Sequence, residues 1–542
     1  MPTTDRLSSW KAIAIYLDCS VRTVRRWEQT EGLPVHRHVH RKLGRVFAVR
    51  AELDTWRQSR ARSPELTSHI VSTAPLTSSR SIAVLPFENL GADAEDDYFA
   101  DGLTEEVTIA LAKVRALQVT SRRSAAAFRD TSAGAKTIAG KLGVRYLLEG
   151  SVRRAGNRLR LSAQLIDAPQ DVHRWTGTYE GTFEDVFAIQ EQMARKIVQA
   201  LELRLTANED QRLSERAIND VAAYECYLRA RHDMWRWRRD AIDRAVQLLR
   251  QALAITGENT RLYAALGLAH LQYREAGIDL SEIPLGEAET CASKVFALDD
   301  HSASGWQLRG WIAYSRGCIQ DAVRDLKVAI ELDPNNSDTL LLLCNCYLIS
   351  GRVAAARPLL ARLLCVDPLT PITRCMPGFA EIMEGNLEAA IEPYRQMFEM
   401  DPSNPMARLF FVWVLILNRR HDDMGALLTF PSDQRDTLPA RLSLFLANAA
   451  MGRPHDAQAE LTLQIESIAR ATDVFPRFLA QGFALAGVRE SAIKWLQVAI
   501  DRGFVNYPFL AVHDPSFEAL RADTAFKALL ETARRRWELF EA

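Results

Sequence analysis

Four polar side chains at short spacing mark the first place in the sequence where chemistry is expected. Residues 21–28 have the pattern of a short helix whose apolar residues share one face, which leaves Arg22, Thr23, Arg25 and Arg26 exposed. Guanidinium groups presented in this way can reach guanine edges and phosphates in a DNA major groove. A first short helix is predicted over residues 9–17, followed by a tight turn. Together the two helices have the geometry of a helix-turn-helix.

A basic stretch follows, in which residues 35–50 alternate as a hairpin that turns near Leu43 and Gly44. Its candidates for DNA contact are His38, His40, Arg41, Lys42 and Arg45. The histidines at 36, 38 and 40 would share one face of a strand, so a metal site is the alternative. No carboxylate or cysteine nearby completes a ligand set, and a DNA-facing or solvent-facing hairpin is therefore favoured over a metal.

These motifs resemble a known module. The segments Ser-Val-Arg-Thr-Val-Arg-Arg-Trp-Glu at 20–28, Glu-Gly-Leu-Pro-Val-His-Arg-His at 31–38 and Glu-Leu-Asp-Thr-Trp at 52–56 are similar to the excisionase/MerR-like winged helix-turn-helix of bacterial regulators. The resemblance covers residues 8–57. It implies a DNA-binding domain over residues 1–60, with the arginine set on a recognition helix and the His38–Arg45 set on a wing. The alternative is that these arginines only form the solvent-exposed surface of a small domain and do not contact DNA.

The charge distribution agrees with a basic head on an acidic body. Residues 1–62 contain 13 Lys or Arg and 6 Asp or Glu, a net charge of +7, whereas the rest of the 542-residue chain has a net charge of −8. A basic module of this kind suggests a polyanionic partner. The longest apolar stretch, residues 409–417, is too short to span a bilayer, and the amino terminus does not resemble a signal peptide. The eight cysteines form no C-x-x-C pair. A reduced cytoplasmic protein without a membrane partner is expected.

Catalytic motifs are not found in the sequence. Residues 134–142 approach a phosphate-binding loop, but five residues instead of four separate the glycines, and Leu142 stands where a Ser or Thr would hold magnesium. The acidic run at 93–97 is predicted to be a solvated turn. The sequence therefore predicts no enzyme, no catalytic residue, no metal and no cofactor.

The middle of the chain alternates strand-like and helix-like runs. Residues 61–80 are rich in Ser, Thr and Pro and are predicted to be a flexible linker. Within residues 81–205, strands are predicted at 81–87, 117–120, 145–153, 158–167 and 173–180, and helices starting at Asp101 and over 135–142 and 183–205. The phrases at 82–90, 98–106 and 146–153 look like the domain similar to the amino-terminal part of TolB. That resemblance implies a structural or partner-binding α/β domain; some relatives carry a nucleotide cyclase, for which no segment is left here.

From residue 206 to 542 the chain is predicted to be helical and repetitive. Asp-Pro pairs at 333, 367 and 401 recur every 34 residues, as do glycines at 317, 351 and 385. A period of 34 is the tetratricopeptide repeat (TPR) length. The glycine starts the turn between two helices and the proline ends the second. About eight helical hairpins are expected, forming a superhelix. The fold class is therefore multidomain and mainly α: a winged helix-turn-helix, an α/β domain and a TPR solenoid.

The first helix of each repeat is expected to line a concave groove. Its partner-binding candidates are Trp311, Tyr314, Leu341, Asn345, Phe379 and Trp413. This lining is mostly apolar and lacks a Lys/Arg cluster. It predicts a hydrophobic helix or an extended protein segment as ligand; the alternative is that a chain-end helix such as residues 526–539 fills the groove.

The favoured hypothesis is a cytoplasmic transcription regulator that binds double-stranded DNA, as a homodimer because single helix-turn-helix modules read half-sites. Its α/β and TPR domains would bind a protein partner and control DNA binding. The alternatives are a TPR assembly scaffold whose head is vestigial or docks protein, and a non-catalytic relative of adenylate cyclase regulatory regions.

Overall fold

The computed structural model of the chain describes residues 6–7, 9–16, 33–38, 45–50, 52–53, 80–91, 97–129 and 131–542. The chain divides into two compact units, Met1–Ala74 and Pro75–Ala542.

The amino-terminal unit contains a small antiparallel sheet and a helix. Its elements are β1 (Arg6–Leu7), α1 (Trp10–Tyr16), β2 (His36–His38) and β3 (Arg45–Val49), with the strand order β1-β3-β2. Ile13, Leu33, Ala48 and Leu53 form its described core. The first predicted helix and the pairing of the basic hairpin are thus present, whereas strand β1 was not predicted. The predicted recognition helix and residues 61–79 of the linker predicted over 61–80 lie outside the described residues.

The second unit begins with a six-stranded mixed sheet. Its strands follow the order β6-β4-β7-β8-β9, with β5 also pairing with β7; β7, β8 and β9 are antiparallel and the other pairs are parallel. The bounds are β4 (Ser81–Val84), β5 (Glu88–Asn89), β6 (Gln118–Val119), β7 (Tyr146–Ala155), β8 (Arg158–Asp167) and β9 (Val172–Thr182). The helices are α2 (Asp97–Ala112), α3 (Arg122–Ala126), α4 (Ala135–Leu142) and α5 (Val186–Ala200). One face of the sheet packs on α2 and α5, and the other on α3 and α4.

Two predicted helix bounds in this domain were wrong. Helix α2 begins at Asp97 instead of Asp101, so Asp97 is the acidic residue of the first turn. Asp101, Glu105 and Glu106 lie further along the helix, where each forms an ion pair with an arginine. The helix predicted over 183–205 is shorter: a 3-10 turn at Phe183–Asp185, fixed by a capping box between Thr182 and Asp185, precedes α5.

All later elements of the described chain are helical. After α6 (Ala207–Ser214), helices pair as antiparallel hairpins. The helices are α7 (Val221–Met234), α8 (Arg239–Thr256), α9 (Thr260–Glu275), α10 (Ile283–Leu298), α11 (Ala303–Ser315), α12 (Ile319–Leu332), α13 (Ser337–Ile349), α14 (Val353–Val366), α15 (Pro371–Met383), α16 (Ile391–Met400), α17 (Pro405–Leu417), α18 (Leu438–Ala450), α19 (Pro454–Ala459), α20 (Leu463–Ala471), α21 (Val474–Leu485), α22 (Arg489–Asp501) and α23 (Thr524–Glu538). After α17, a 3-10 segment (His421–Leu428) takes the place of the second helix.

The periodic glycines have two physical roles. Gly317, Gly351 and Gly385 end the first helices with φ of 80°, 69° and 90°, a region that favours glycine. The carboxyl-terminal part of the chain also returns across these turns: a Cβ on Gly317 would lie 3.0 Å from the Cα of Arg502. Within this returning segment, the backbone N–H of Val505 donates to the carbonyl of Ile349 at 3.1 Å. The solenoid therefore closes back on its own edge.

The α/β domain is joined to the helical hairpins at two places. Helix α2 packs on α7, and Leu228 lies so close to Gly102 that a Cβ there would be 2.6 Å from its Cδ2. A single apolar core continues from the sheet through α7 to α11, across the predicted boundary at 205. Far along the chain, buried Asp367 accepts hydrogen bonds from the hydroxyls of Ser121 and Ser124, the latter at 2.6 Å. The second join fixes α3 against the hairpins.

None of the helices in the described ranges is long and apolar enough to cross a membrane. The described cysteines, which exclude Cys19, are free thiols, and burial raises the pKa of Cys344 to about 12. Cys344, Cys291, Cys346 and Cys375 are buried, as predicted, whereas Cys226 is half-buried and Cys318 and Cys365 are exposed.

Candidate functional site

The first helices of four successive hairpins surround a cavity of about 410 Å³. Because the 34-residue period places equivalent positions on the same inner face, α11, α13, α15 and α17 each contribute side chains to one wall. The wall is apolar over most of its area. Its residues are Trp311, Tyr314, Leu341, Leu342, Asn345, Ile372, Met376 and Met406.

The opposite wall comes from the end of α20, the start of α21 and the two residues between them. Ala471, Thr472, Asp473, Val474 and Phe475 all line the cavity. The Tyr314 hydroxyl donates to the Asp473 carboxylate at 2.5 Å, and the Asn345 side-chain amide donates to the Tyr314 oxygen at 2.8 Å. This chain of hydrogen bonds connects the repeat wall to the returning segment. It explains why a polar Tyr and Asn stand in an otherwise apolar lining.

The third side of the cavity is charged and aromatic. Arg123 of α3 forms a 2.8 Å ion pair with Asp338, the second residue of α13. Trp237, which is 43% exposed, lies beside them. Glu275, the last residue of α9, also lines this side. The α/β domain thus contributes directly to the rim of a cavity that the repeats build.

The electrostatics of the cavity depend chiefly on Glu275. The Glu275 residue is exposed to solvent as a whole, but protein atoms crowd its carboxyl group, and the charges of Asp338 and Asp473 repel a further negative charge. Together they raise the pKa of Glu275 to about 8, against a hydrogen bond from Trp311 and the charge of Arg123. On the far wall, burial lowers the pKa of Arg502, whose guanidinium donates to the carbonyl of Ser315 at 3.2 Å. The cavity therefore contains a carboxyl group that changes charge near neutral pH.

Four of the six predicted groove residues meet at this cavity, and two do not. Trp311, Tyr314, Leu341 and Asn345 line it. Phe379 and Trp413 are buried and do not line the cavity, so the prediction was wrong for these two residues. The reason is that the carboxyl-terminal part of the chain returns across the repeats and covers both rings.

Buried Arg477 of α21 lies over both rings, 5.3 Å from the Phe379 centroid and 4.9 Å from that of Trp413. The Trp413 indole N–H donates to Gln481 at 2.9 Å. The chain-end helix α23 does not line the cavity, in contrast to the alternative considered for it; residues 471–475, at the junction of α20 and α21, line it instead.

The predicted DNA-binding residues remain a prediction. His38 and Arg45 lie directly opposite each other in the β2–β3 register. Nearby, His36 Nε2 lies 2.6 Å from a carboxylate oxygen of Glu52, a contact that the sequence did not indicate. The described residues contain no group of three or more metal-ligating side chains. The remaining candidates lie outside the described residues: Arg22, Thr23, Arg25, Arg26, His40, Arg41 and Lys42.

The cavity residues that sequence reasoning missed share one property. Glu275, Asp473 and Arg123 come from a helix end, a loop and another domain, and none stands at a repeat position that the 34-residue frame marks. No signal in the sequence places them together, because their approach results from the return of the chain.

The hairpins that form the cavity match a known family. Residues 313–371 match the family model described as tetratricopeptide repeat. The chain contains tetratricopeptide repeats. The matched TPR segment runs from α11 to the start of α15 and includes Tyr314, Leu341 and Asn345.

Two curated relatives share longer stretches of sequence. Over 220 residues the chain is 39% identical to a protein of Rhizobium meliloti (strain 1021) named "Putative adenylate cyclase 3", covering 40% of this chain and 37% of that protein. Over 155 residues it is 25% identical to "Protein CTR9 homolog" of Arabidopsis thaliana, covering 28% of this chain and 14% of that protein. The chain spans well under two thirds of either relative.

Solved structures also resemble the chain. The thermophilic TPR protein TTC0263 of Thermus thermophilus is 18% identical and covers 36% of this chain and 100% of its own, with a TM-score of 0.30. YrrB, a TPR protein with an unusual peptide-binding site, is 17% identical and covers 33% of this chain and 88% of its own, with a TM-score of 0.26. Likenesses of this size carry no argument about function.

Proposed function

We propose that residues 75–542 bind an extended apolar segment of a partner protein in the TPR cavity, and that this binding is a regulatory and not a catalytic role. The observation that carries the proposal is the cavity itself. Its volume of about 410 Å³ lies within the roughly 300–1,000 Å³ range of ligand pockets. A helix about 10–12 Å wide would place only about one turn there, so an extended segment fits better.

The charges on the cavity wall refine the expected sequence of the partner. Glu275 and Asp473 both face the cavity, and neither forms an ion pair with any residue in the described part of the chain. The third carboxylate, Asp338, is already paired with Arg123. An apolar segment that carries a Lys or Arg would supply a counter-charge for Asp473, and the same cation would favour the ionised form of Glu275.

Fluorescence anisotropy with three sets of labelled hexapeptides tests this role. The sets contain two adjacent Leu or Phe residues with a Lys, the same residues with a Glu, and polar residues only. We expect the lysine set to bind most tightly. Leu341→Glu places a charge on the apolar wall and is expected to weaken binding about tenfold or more.

The matched control is Leu332→Glu, because Leu332 is 40% exposed and does not line the cavity. Since Leu341 also packs on the core, Trp237→Glu at an exposed position of the rim provides a second variant. Equal binding of the three peptide sets, or full binding by both cavity variants, would refute the role.

We propose a second activity, in which the amino-terminal unit binds double-stranded DNA. Two observations favour it: the antiparallel pairing of the basic strands β2 and β3 and the net charge of +7 in residues 1–62. Anisotropy of the full chain with a labelled duplex across a salt series is the test. A steep fall of affinity with salt is expected, because bound phosphates release counterions.

Arg25→Ala/Arg26→Ala should remove most DNA binding, whereas Arg534→Ala/Arg535→Ala near the carboxyl terminus should not. Flat or absent binding at low salt would instead favour the TPR scaffold hypothesis. We place this regulator in the cytoplasm as part of the same proposal. Cyclase activity is named only for the Rhizobium relative, and an assay of cyclic AMP formation from ATP is expected to give no product with this chain.

A further inference from the structure

A second open site lies on the other side of Arg123 from the TPR cavity. It is a depression of about 240 Å³ between α2, α3 and the end of α7. Of the residues that the structure describes, four arginines and a histidine line it, with one carboxylate and one tryptophan. The charged and aromatic residues are Arg122, Arg123, Arg129, Arg236, His232, Asp101 and Trp235.

Among the described residues of the depression, the one carboxylate is that of Asp101, and its charge is already balanced by neighbouring arginines. Asp101 is 8% exposed, forms an ion pair with Arg129 and lies 3.5 Å from Arg122 and 3.2 Å from His232 Nδ1. Burial opposes its ionisation, but the hydrogen bond from His232 and the charges of Arg122 and Arg129 lower the pKa of Asp101 to about 2. The potential in the depression is therefore strongly positive.

The outer guanidinium groups keep most of their donors available. The side chains of Arg129 and Arg236 are 43% and 52% exposed. Within the described chain, Arg129 has Asp101 as its hydrogen-bond partner, and Arg236 has His232 Nε2 at 3.2 Å and a long ion pair of 3.6 Å with Asp233. A guanidinium carries five N–H donors, so each arginine can still offer a two-pronged contact to an oxyanion.

The ion pairs that surround the depression do not balance. In the described chain these ion pairs form three separate sets that together contain seven arginines and five carboxylates, which leaves an excess of two positive charges before His232 is counted. The members are Arg122, Arg123, Arg129, Arg231, Arg236, Arg238, Arg244, Asp101, Glu105, Asp233, Asp240 and Asp338. A phosphate group carries a charge of about −1.5 to −2 at neutral pH.

We propose that this depression is a phosphate-binding site, in which Arg129 and Arg236 hold the oxygens of a phosphate group over the neutralised Asp101. Trp235 positions two of the arginines: the guanidiniums of Arg122 and Arg123 lie over its ring, 5.1 and 5.3 Å from the centroid. The site does not depend on what occupies the TPR cavity.

Isothermal titration of the full chain with inorganic phosphate at pH 8 and constant ionic strength tests the proposal. Saturable binding of one phosphate is expected, and Arg129→Gln/Arg236→Gln should weaken it about tenfold or more. Arg534→Gln/Arg535→Gln, which changes two exposed arginines of α23, is the matched control and should bind as the wild type does. A parallel titration with O-phosphoserine shows whether free phosphate or a phosphate ester is the better ligand.

Single variants of Arg236 show whether a loss of binding results from the lost guanidinium group or from a folding defect. Arg236→Gln changes the more exposed of the two outer arginines and should weaken binding, while Arg236→Lys, which keeps the charge but loses the planar donor pair, should weaken it less. No saturable phosphate binding by the wild type, or wild-type affinity in both Arg236→Gln and the double variant, would overturn the proposal.

Discussion

The TPR cavity and the arginine depression share Arg123 but are built in opposite ways. The cavity is lined by apolar side chains at equivalent positions of successive repeats, whereas the depression is lined by charged side chains from α2, α3 and α7. Their titratable groups also differ: the pKa of Glu275 is raised to about 8, and that of Asp101 is lowered to about 2. Two neighbouring sites of one compact unit can therefore recognise different chemistry.

The largest effect is expected at Asp367, the residue that holds the two sites together. Its carboxylate accepts hydrogen bonds from Ser121 and Ser124 of the α3 region and from Thr370 and Thr373. Asp367→Ala leaves these hydroxyls without their acceptor and should lower the free energy of unfolding by about 3 kcal/mol. It should also weaken binding at both sites, because α3 carries Arg122 and Arg123. Chemical denaturation measures the first effect, and peptide and phosphate titrations measure the second.

Asp401→Ala is the matched control, because Asp401 stands at the equivalent position of the next repeat and accepts from the nearby Ser403 hydroxyl at 2.7 Å. It should cost less than about 1 kcal/mol and leave both sites unchanged. Equal losses in the two variants would show that Asp367 has no special role in joining the α/β domain to the repeats.

The difference between repeat positions and contacts from distant parts of the chain also decides what could be predicted from the sequence. The glycines at 317, 351 and 385 and their Asp-Pro partners predict the hairpins and the first helix of each, and hence Trp311, Tyr314, Leu341 and Asn345, because a period of 34 is a local property. The burial of Phe379 and Trp413 depends on Arg477, about 64–98 residues away in the chain, and could not be read from any period. Asp101 was predicted at a helix start, and its role at the floor of the depression depends on Arg129 and His232.

The next effect tests whether the two sites are separate. Leu341→Glu should weaken the lysine-containing peptide about tenfold or more while phosphate affinity stays within about twofold of the wild type. Arg129→Gln/Arg236→Gln should show the reverse pattern. Titration of both variants with both ligands measures this. A variant that weakens both ligands equally, with unchanged unfolding, would mean that the cavity and the depression form a single site.

A smaller effect is expected from pH on the stability of the folded chain, and it arises at the TPR cavity alone. The folded state raises the pKa of Glu275 from the ordinary 4.5 to about 8, so between these values the folded chain holds a proton that the unfolded chain has lost. Stability should therefore fall as pH rises from about 5 to about 8. The Glu275→Gln variant lacks this contribution to the pH dependence of stability. Its melting temperature at pH 9 should therefore be about 1–2 °C higher than that of the wild type.

Glu490→Gln, at an exposed position of α22, is the control for the loss of one carboxylate and should retain the wild-type slope. Parallel thermal melts at pH 6, 7.5 and 9 give the comparison. An identical pH slope in wild type and Glu275→Gln would contradict the assignment of a neutral Glu275 in the cavity.

The most direct test of the central claim is to map where a bound peptide lies. A lysine-containing peptide from the anisotropy set, with a diazirine on one apolar residue, is irradiated with the full chain, and the attachment site is found by mass spectrometry. The account predicts attachment at cavity residues such as Leu341, Ile372, Met376 and Met406, removed by excess unlabelled peptide. Attachment at exposed positions such as Leu298 or Leu332 instead, or attachment unaffected by the competitor, would contradict the TPR cavity as the partner-binding site.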